Sequence, residues 1–170
     1  MKVIDELLQK LPKDFVLVGE ENTRPFECDG LSVYRQKPLA VVLPETIEQI
    51  KQVLKICKQN NTPVVTRGAG TGLAGGAMPL AKSIVLGLSK LNKIKSVDVK
   101  NQLAILEPGV RNIAISEAVA EHGLYYAPDP SSQIACSIGG NVAENSGGVH
   151  CLKYGLTVHN VEAVKILTID

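Results

Sequence analysis

The sequence predicts a fold of mixed helices and strands, and three observations predict it. LAVVL (39–43), an amphipathic stretch over 46–60 and PVVT (63–66) follow one another as strand, helix and strand. That βαβ order implies a parallel pair with a right-handed crossover. KIKSVDV (93–99) and QLAILE (102–107) form the two arms of a hairpin turning at Lys100 and Asn101. Many of the fifteen glycines cluster in 67–77 and 131–148, outside any regular element.

Taken in order, Val3, Ile4, Leu7, Leu8 and Leu11 share one face of a short N-terminal helix that Pro12 stops. A loop region follows through Gly30. Residues 39–43 are a β-branched apolar run of the buried-strand kind, closed by Pro44. Thr46 and Gln49 form a capping box, and Ile47, Ile50, Leu54 and Cys57 recur at helical spacing up to Asn60 and Asn61. Residues 63–66 and SIVLGL (83–88) are further strands, and Pro108 and Gly109 break the second hairpin arm. A helix over 111–122 carries Ile113, Ala114, Ala118 and Val119 and stops at Gly123. APDP (127–130) is rigid, and a capped helix is expected at 141–146. VEAVKILTI (161–169) has strand character. The chain stops immediately after it at Asp170, and that abrupt end leads to the expectation of a truncated chain.

Composition removes several function classes. Eighteen Lys and Arg against seventeen Asp and Glu leave a net charge of +1, so no whole-chain field attracts nucleic acid or anionic membrane. A hydrophobic fraction of 45% with 21% charged residues is ordinary globular composition. Cys28, Cys57, Cys136 and Cys151 never occur as C-x-x-C, which argues against a zinc knuckle or redox dithiol and for reduced, packed thiols in a cytosolic setting. The N-terminus lacks the apolar core of a signal peptide, and no run approaches the roughly 20 apolar residues that span a bilayer.

RGAGTGLAGGA (67–77) follows the second strand directly. Consecutive N–H groups in a glycine-rich loop can point into one concavity and bind phosphate through partial positive charge, and a pyrophosphate is the natural guest. Gly70-x-Gly72-x-x-Gly75 is formally a dinucleotide fingerprint. A Rossmann site would open a helix at that point, whereas here Gly76-Ala77-Met78-Pro79 follows and the next regular run is a strand. No Gly-Lys-Ser/Thr triplet makes a Walker loop. In the second region, Ser131, Ser132, Ala135, Ser137, Gly139 and Gly140 are small enough for a flat, polar-edged ring such as an isoalloxazine to lie against the backbone. Taken alone, that stretch reads as well as an ordinary turn before a helix.

These residues carry a resemblance. RGAGTGLAGGA (67–77), LEPGVRN (106–112), the long block 127–160 and FECDGLSVYR (26–35) resemble the vanillyl-alcohol-oxidase, or PCMH-type, flavoprotein family, in its branch of FAD-linked glycolate oxidase subunits and D-lactate dehydrogenases. The likeness covers essentially all of 15–170. It implies an α+β fold: a PCMH-type FAD-binding domain with two small α/β subdomains, the second incomplete. The expected organisation is an N-terminal helix and loop extension over 1–38, a first FAD-binding subdomain over 39–126 and the start of a second over 127–170.

By that resemblance Arg67, Gly68, Ala69, Gly70, Thr71, Gly72, Gly75 and Gly76 hold the pyrophosphate, and Pro108 and Gly109 flank the cofactor. Ser131, Ser132, Ser137, Ile138, Gly139, Gly140 and Asn141 line the flavin. Gly147, Tyr154, Gly155, Thr157 and Val158 complete the site on the adenine and ribose side. Several relatives anchor FAD through a His in the first glycine loop; Thr71 stands at roughly that place here, so non-covalent FAD is expected. The resemblance further implies a 2-hydroxy-acid dehydrogenase that moves hydride from the substrate α-carbon to flavin N5. Its implied partners are a second flavin subunit and an iron–sulfur subunit, and its implied place is the cytoplasm or, through those subunits, the inner face of the membrane.

The family's chain is longer, and its substrate cap and His-rich metal and catalytic region correspond to positions beyond 170. No catalytic or metal-ligating residue is therefore assigned: His122, His150 and His159 read as structural, and the chain alone is expected to be inactive. An unpaired strand at 161–169 would offer an edge for self-association.

Overall fold

The structure, a computed structural model, describes residues 2–169. The chain forms two compact units, Met1–Lys90 with Ile166–Asp170, and Leu91–Lys165. The division falls inside the 39–126 segment.

In the first unit, helix α1 (Lys2–Lys10) buries Val3 and Leu7, and Leu11 just after it, the positions its periodicity selects. Strand β1 (Val16–Leu17) and helix α2 (Glu20–Thr23) follow, then β2 (Ala40–Val42), helix α3 (Ile47–Gln59), β3 (Val64–Arg67) and β4 (Ile84–Gly87). The capping box of α3 forms as expected: Gln49 N donates to Thr46 Oγ1 at 3.2 Å, and Thr46 N donates back to Gln49 Oε1 at 3.2 Å. Ile50, Val53, Ile56 and Cys57 turn inward from α3, and Asn60 Nδ2 donates to Glu6 Oε2 at 3.0 Å, tying the end of α3 to α1. Burial pushes the Cys57 thiol up to about 11, as expected of a packed and inert cysteine.

The sheet order is β1-β2-β4-β3. Two expectations change here. First, β2 and β3 are parallel but not neighbours, because β4 lies between them and pairs with both, Val85 facing Val41 on one side and Val65 on the other. The physical reason is burial: every residue of β4 is buried, which suits a strand covered on both faces and edges, whereas β3 is half exposed and takes the edge. Second, the segment read as loop through Gly30 contains β1, antiparallel to β2 through Val16–Val42 and Leu17–Val41. A two-residue ladder leaves too short a pattern to detect.

In the second unit, β5 (Ile94–Asp98) and β6 (Leu103–Leu106) make the expected hairpin, with an irregularity between Ile94 and Ser96. Helix α4 (Asn112–Val119) runs into a 3-10 turn at Ala120–His122, and Gly123 ends it in the left-handed conformation (φ 68°). Helices α5 (Ile138–Glu144) and α6 (Cys151–Tyr154) complete the unit, the latter followed by a 3-10 turn at Thr157–Asn160. Val110, Ile115 and Ile138 form the core, with Ile94, Leu106, Ala114 and Tyr126 packed on it. The helix expected at 141–146 starts three residues earlier, drawing Gly139 and Gly140 into its first turn.

The strand expected at 161–169 does not form, and with it goes the edge proposed for self-association. No ladder partner exists for it among the described residues. Leu167 and Ile169 instead line a surface groove with Lys51, Leu54 and Lys55 of α3. No helix among the described residues is long and apolar enough to cross a membrane.

If the reciprocal cap secures α3 against the sheet, Thr46→Ala will lower stability by about 1 kcal/mol, the typical worth of an N-cap side chain. A urea titration followed by circular dichroism reads it, and an unchanged midpoint would count against the cap.

Candidate functional site

The two glycine-rich segments belong to different units and are described one at a time. The first leaves β3 at Arg67 and returns at Pro79. Gly70 and Gly75 hold φ of 74° and 78°, a region side chains resist, so these two turns need glycine. Not one backbone N–H from Gly68 to Ala77 donates to another group among the described residues. A row of free donors on a partly buried loop fits an anion carrying many acceptor oxygens. An added Cβ at Gly72 meets nothing within 4 Å, so the front of the loop there is open. The Arg67 side chain, by contrast, is inside: the residue is 8% exposed. Burial lowers its pKa, while the charges of Cys28 and Asp29 oppose that effect.

In the second unit, the 131–141 segment is moulded onto LEPGVRN. Ile138 N donates to Val110 O and Gly139 N to Pro108 O, both at 2.8 Å, and Asn112 N donates to Cys136 O at 3.0 Å. A Cβ on Gly139 would stand 2.7 Å from Pro108 Cβ, so only glycine lets α5 start against that proline. Thus Pro108 and Gly109 come together with Ser137, Ile138, Gly139 and Gly140, while Ser131 and Ser132 lie in the turn leading in, where Cys136 N donates to Ser132 O. Ser137 Oγ and Asn141 Nδ2 are buried without any hydrogen-bond partner, on residues 5% and 2% exposed. Buried polar atoms are almost always paired, so two orphans one helical turn apart fit a polar-edged group against this segment.

Gly147, Tyr154, Gly155, Thr157 and Val158 form one compact loop. Thr157 is fully buried and its Oγ1 donates to Ser146 O at 2.7 Å, Val158 N donates to Asn145 Oδ1 at 3.0 Å, and Gly147 lies under Leu156. His150 Nδ1 pairs with Asp129 Oδ2 at 2.6 Å. Burial raises the Asp129 carboxyl, but the hydrogen bonds from the His150 side chain and backbone outweigh it and hold the group below the ordinary carboxylate range. His159 Nδ1 accepts from Leu156 N at 3.0 Å. Both imidazoles therefore have structural partners. Among the described residues no cluster of three or more His, Cys, Asp and Glu is arranged to hold a metal ion.

Two residues escaped the sequence reading. Asn112, 1% exposed, donates from Nδ2 to Pro128 O at 3.0 Å and so fixes the rigid proline pair. An Asn on the apolar face of a helix was the available signal. Gly30 lies against the glycine loop, a contact between positions too far apart in sequence to leave any pattern.

This is the architecture of a flavin-binding domain. The chain belongs to the family described as FAD binding domain, whose sequence model matches residues 38–170. Its fold is the α+β fold of the PCMH-type FAD-binding proteins, as the resemblance implied, and the cofactor is FAD. The chain is 56% identical over 168 residues to the glycolate oxidase subunit GlcD of Escherichia coli strain K12, covering 99% of this chain and 34% of that protein. It is 36% identical over 171 residues to a D-lactate dehydrogenase of Anaerostipes hadrus, covering 98% and 36%. Among solved structures, an alkyldihydroxyacetonephosphate synthase matches with TM-score 0.81 at 19% identity over 92% of this chain and 31% of that one. p-Cresol methylhydroxylase with substrate bound matches with TM-score 0.75 at 26% identity over 85% and 29%. The chain thus spans about a third of the length of the curated relatives it matches.

The open front of the first loop and the tight seat of the second separate two roles for glycine. Gly139→Ala is expected to destabilise the chain by about 1–3 kcal/mol through overpacking, whereas Gly72→Ala should stay within about 0.5 kcal/mol of the parent, as surface changes do. Equal costs in a urea titration would contradict the distinction.

Proposed function

We propose that this chain is the FAD-binding portion of a flavin-dependent 2-hydroxy-acid dehydrogenase acting on glycolate or D-lactate. The observation that carries the reading is the row of unbonded N–H groups from Gly68 to Ala77, supported by the orphaned Ser137 Oγ and Asn141 Nδ2. The diphosphate of FAD lies against the first loop, with the backbone of Gly68, Ala69, Gly70, Thr71, Gly72, Gly75 and Gly76 donating to its oxygens. The flavin ring lies against 131–141, where Ser137 and Asn141 offer hydrogen-bonding groups to its polar edge and Gly139 and Gly140 admit its face. Pro108 and Gly109 shape the floor beneath it, and Tyr154, Gly155, Thr157 and Val158, with Gly147, close the remaining side.

The bound flavin supplies the hydride acceptor, and this chain's residues supply position and electrostatics. With no His in the 67–77 loop, the cofactor is held without a covalent bond. Similarity to a protein named as a glycolate oxidase subunit supports assembly with other subunits, and we assign an iron–sulfur subunit as the electron acceptor.

A second reading has its own support: the chain holds FAD without turnover. His159 Nδ1 accepts from the Leu156 N–H, so the other nitrogen of that ring carries the proton and cannot take one from a substrate.

Titration of the purified chain with FAD, followed by flavin fluorescence and visible absorption, tests the placement. Gly72→Val puts a branched side chain into the open front of the loop and should weaken FAD by at least about tenfold, the equivalent of one charge-assisted hydrogen bond of about 1.5–3 kcal/mol. Wild-type affinity in that variant would refute the cradle. Bleaching of the bound flavin by glycolate or D-lactate would decide for the enzyme over the binding module.

A further inference from the structure

A loop whose N–H groups from Gly68 to Ala77 bond to nothing among the described residues is shaped mainly from outside, and the structure shows what does it. The segment 26–31 runs against the glycine loop at its start and middle, and Arg67 reaches from the start to the end. Arg67 Nη1 donates to Cys28 O at 2.6 Å and to Ala77 O at 3.4 Å, and the guanidinium lies 5.6 Å from the centre of the Phe26 ring. The same guanidinium fills the space that a side chain at Gly70 would need. An added Cβ on Gly30 would stand 2.8 Å from the carbonyl oxygens of both Thr71 and Gly72, so that glycine lets the two segments touch backbone to backbone. The strap is itself pinned. Leu31 N donates to Asp29 Oδ1 at 2.9 Å, Gln36 N to Glu27 O at 2.8 Å, and Arg35 pairs with Glu27 at 2.8 Å.

Resting on the reading of Gly68–Ala77 as the diphosphate cradle, we infer that residues 26–31 and Arg67 form a buckle that sets the shape of that cradle. Arg67 is thus a positioning residue and not a phosphate ligand. Its guanidinium is spent on two carbonyls, Cys28 O of the strap and Ala77 O at the far end of the loop, on a residue only 8% exposed. The consequence is that FAD affinity depends on a strap lying outside the 38–170 region that matches the family. Holding the donors in place before binding removes an ordering cost that the cofactor would otherwise bear. The two roles for Arg67 differ in what lysine can replace. A phosphate ligand needs charge, which lysine keeps, whereas a buckle needs the flat guanidinium body that fills the space beneath Gly70, which lysine lacks.

The test measures the Kd for FAD of the full chain by fluorescence quenching in Gly30→Ala, Arg67→Lys, Arg67→Met and Gly72→Val, with Thr46→Ala as a variant that perturbs stability away from the loop. Circular dichroism reports folding in each. The buckle requires Gly30→Ala to weaken FAD at least about tenfold, Arg67→Lys to be as weak as Arg67→Met, and Thr46→Ala to bind like the parent. Rescue by lysine, or parental affinity in Gly30→Ala beside a weakened Gly72→Val, overturns the buckle and leaves the cradle standing. Parental affinity in Gly72→Val overturns the cradle and the buckle with it. If the Arg67 variants fail to fold, Gly30→Ala decides alone, since that residue has no left-handed backbone to strain.

Discussion

The row of backbone N–H groups that the chain leaves unbonded between Gly68 and Ala77 is the constraint on which the rest of the structure depends. A backbone donor withheld from water and from the chain costs about as much as a lost hydrogen bond, so such a row persists only where a ligand or solvent takes it up. Everything around it keeps the row in place. The sheet anchors the loop through Arg67 at the end of β3, and Leu88 N donates to Arg67 O at 2.9 Å to carry the ladder one step past β4. The fully buried β4 makes that edge rigid. Charge is supplied by peptide dipoles and not by exposed cations, which agrees with a chain whose net charge is only +1.

The second unit solves a different problem with the same residue type. At the junction of Pro108 with Gly139, the absence of a side chain brings two main chains within contact distance. That closeness leaves Ser137 Oγ and Asn141 Nδ2 buried with nothing to bond. Natural structures tolerate very few such atoms, and these two lie one helical turn apart. The Asp129–His150 pair and the Thr157–Ser146 bond tie down the following loop.

Much of this was legible in the sequence, and what was legible was local. The capping box of α3 is an i, i+3 pattern, the 93–107 hairpin is an alternation around a turn, and the Gly123 stop is a single residue with one conformational reason. The two glycine clusters were equally plain, because their cost to regular structure asks for an explanation wherever they occur. What could not be read was non-local. Insertion of β4 between β2 and β3 depends on which strand is buried deepest, the two-residue β1 has no pattern, and residues 161–169 have the composition of a strand but pair with no strand among the described residues. The strap at 26–31 was recognisable only by resemblance; its contacts with Thr71 and Gly72 are a property of the folded backbone.

One measurement bears most directly on the unbonded row: amide proton shifts of an isotopically labelled chain titrated with FAD. Hydrogen bonding to diphosphate oxygens should move the amide protons of residues 68–77 downfield together as the cofactor saturates. Full binding of FAD with those amides unmoved would show that the diphosphate lies elsewhere.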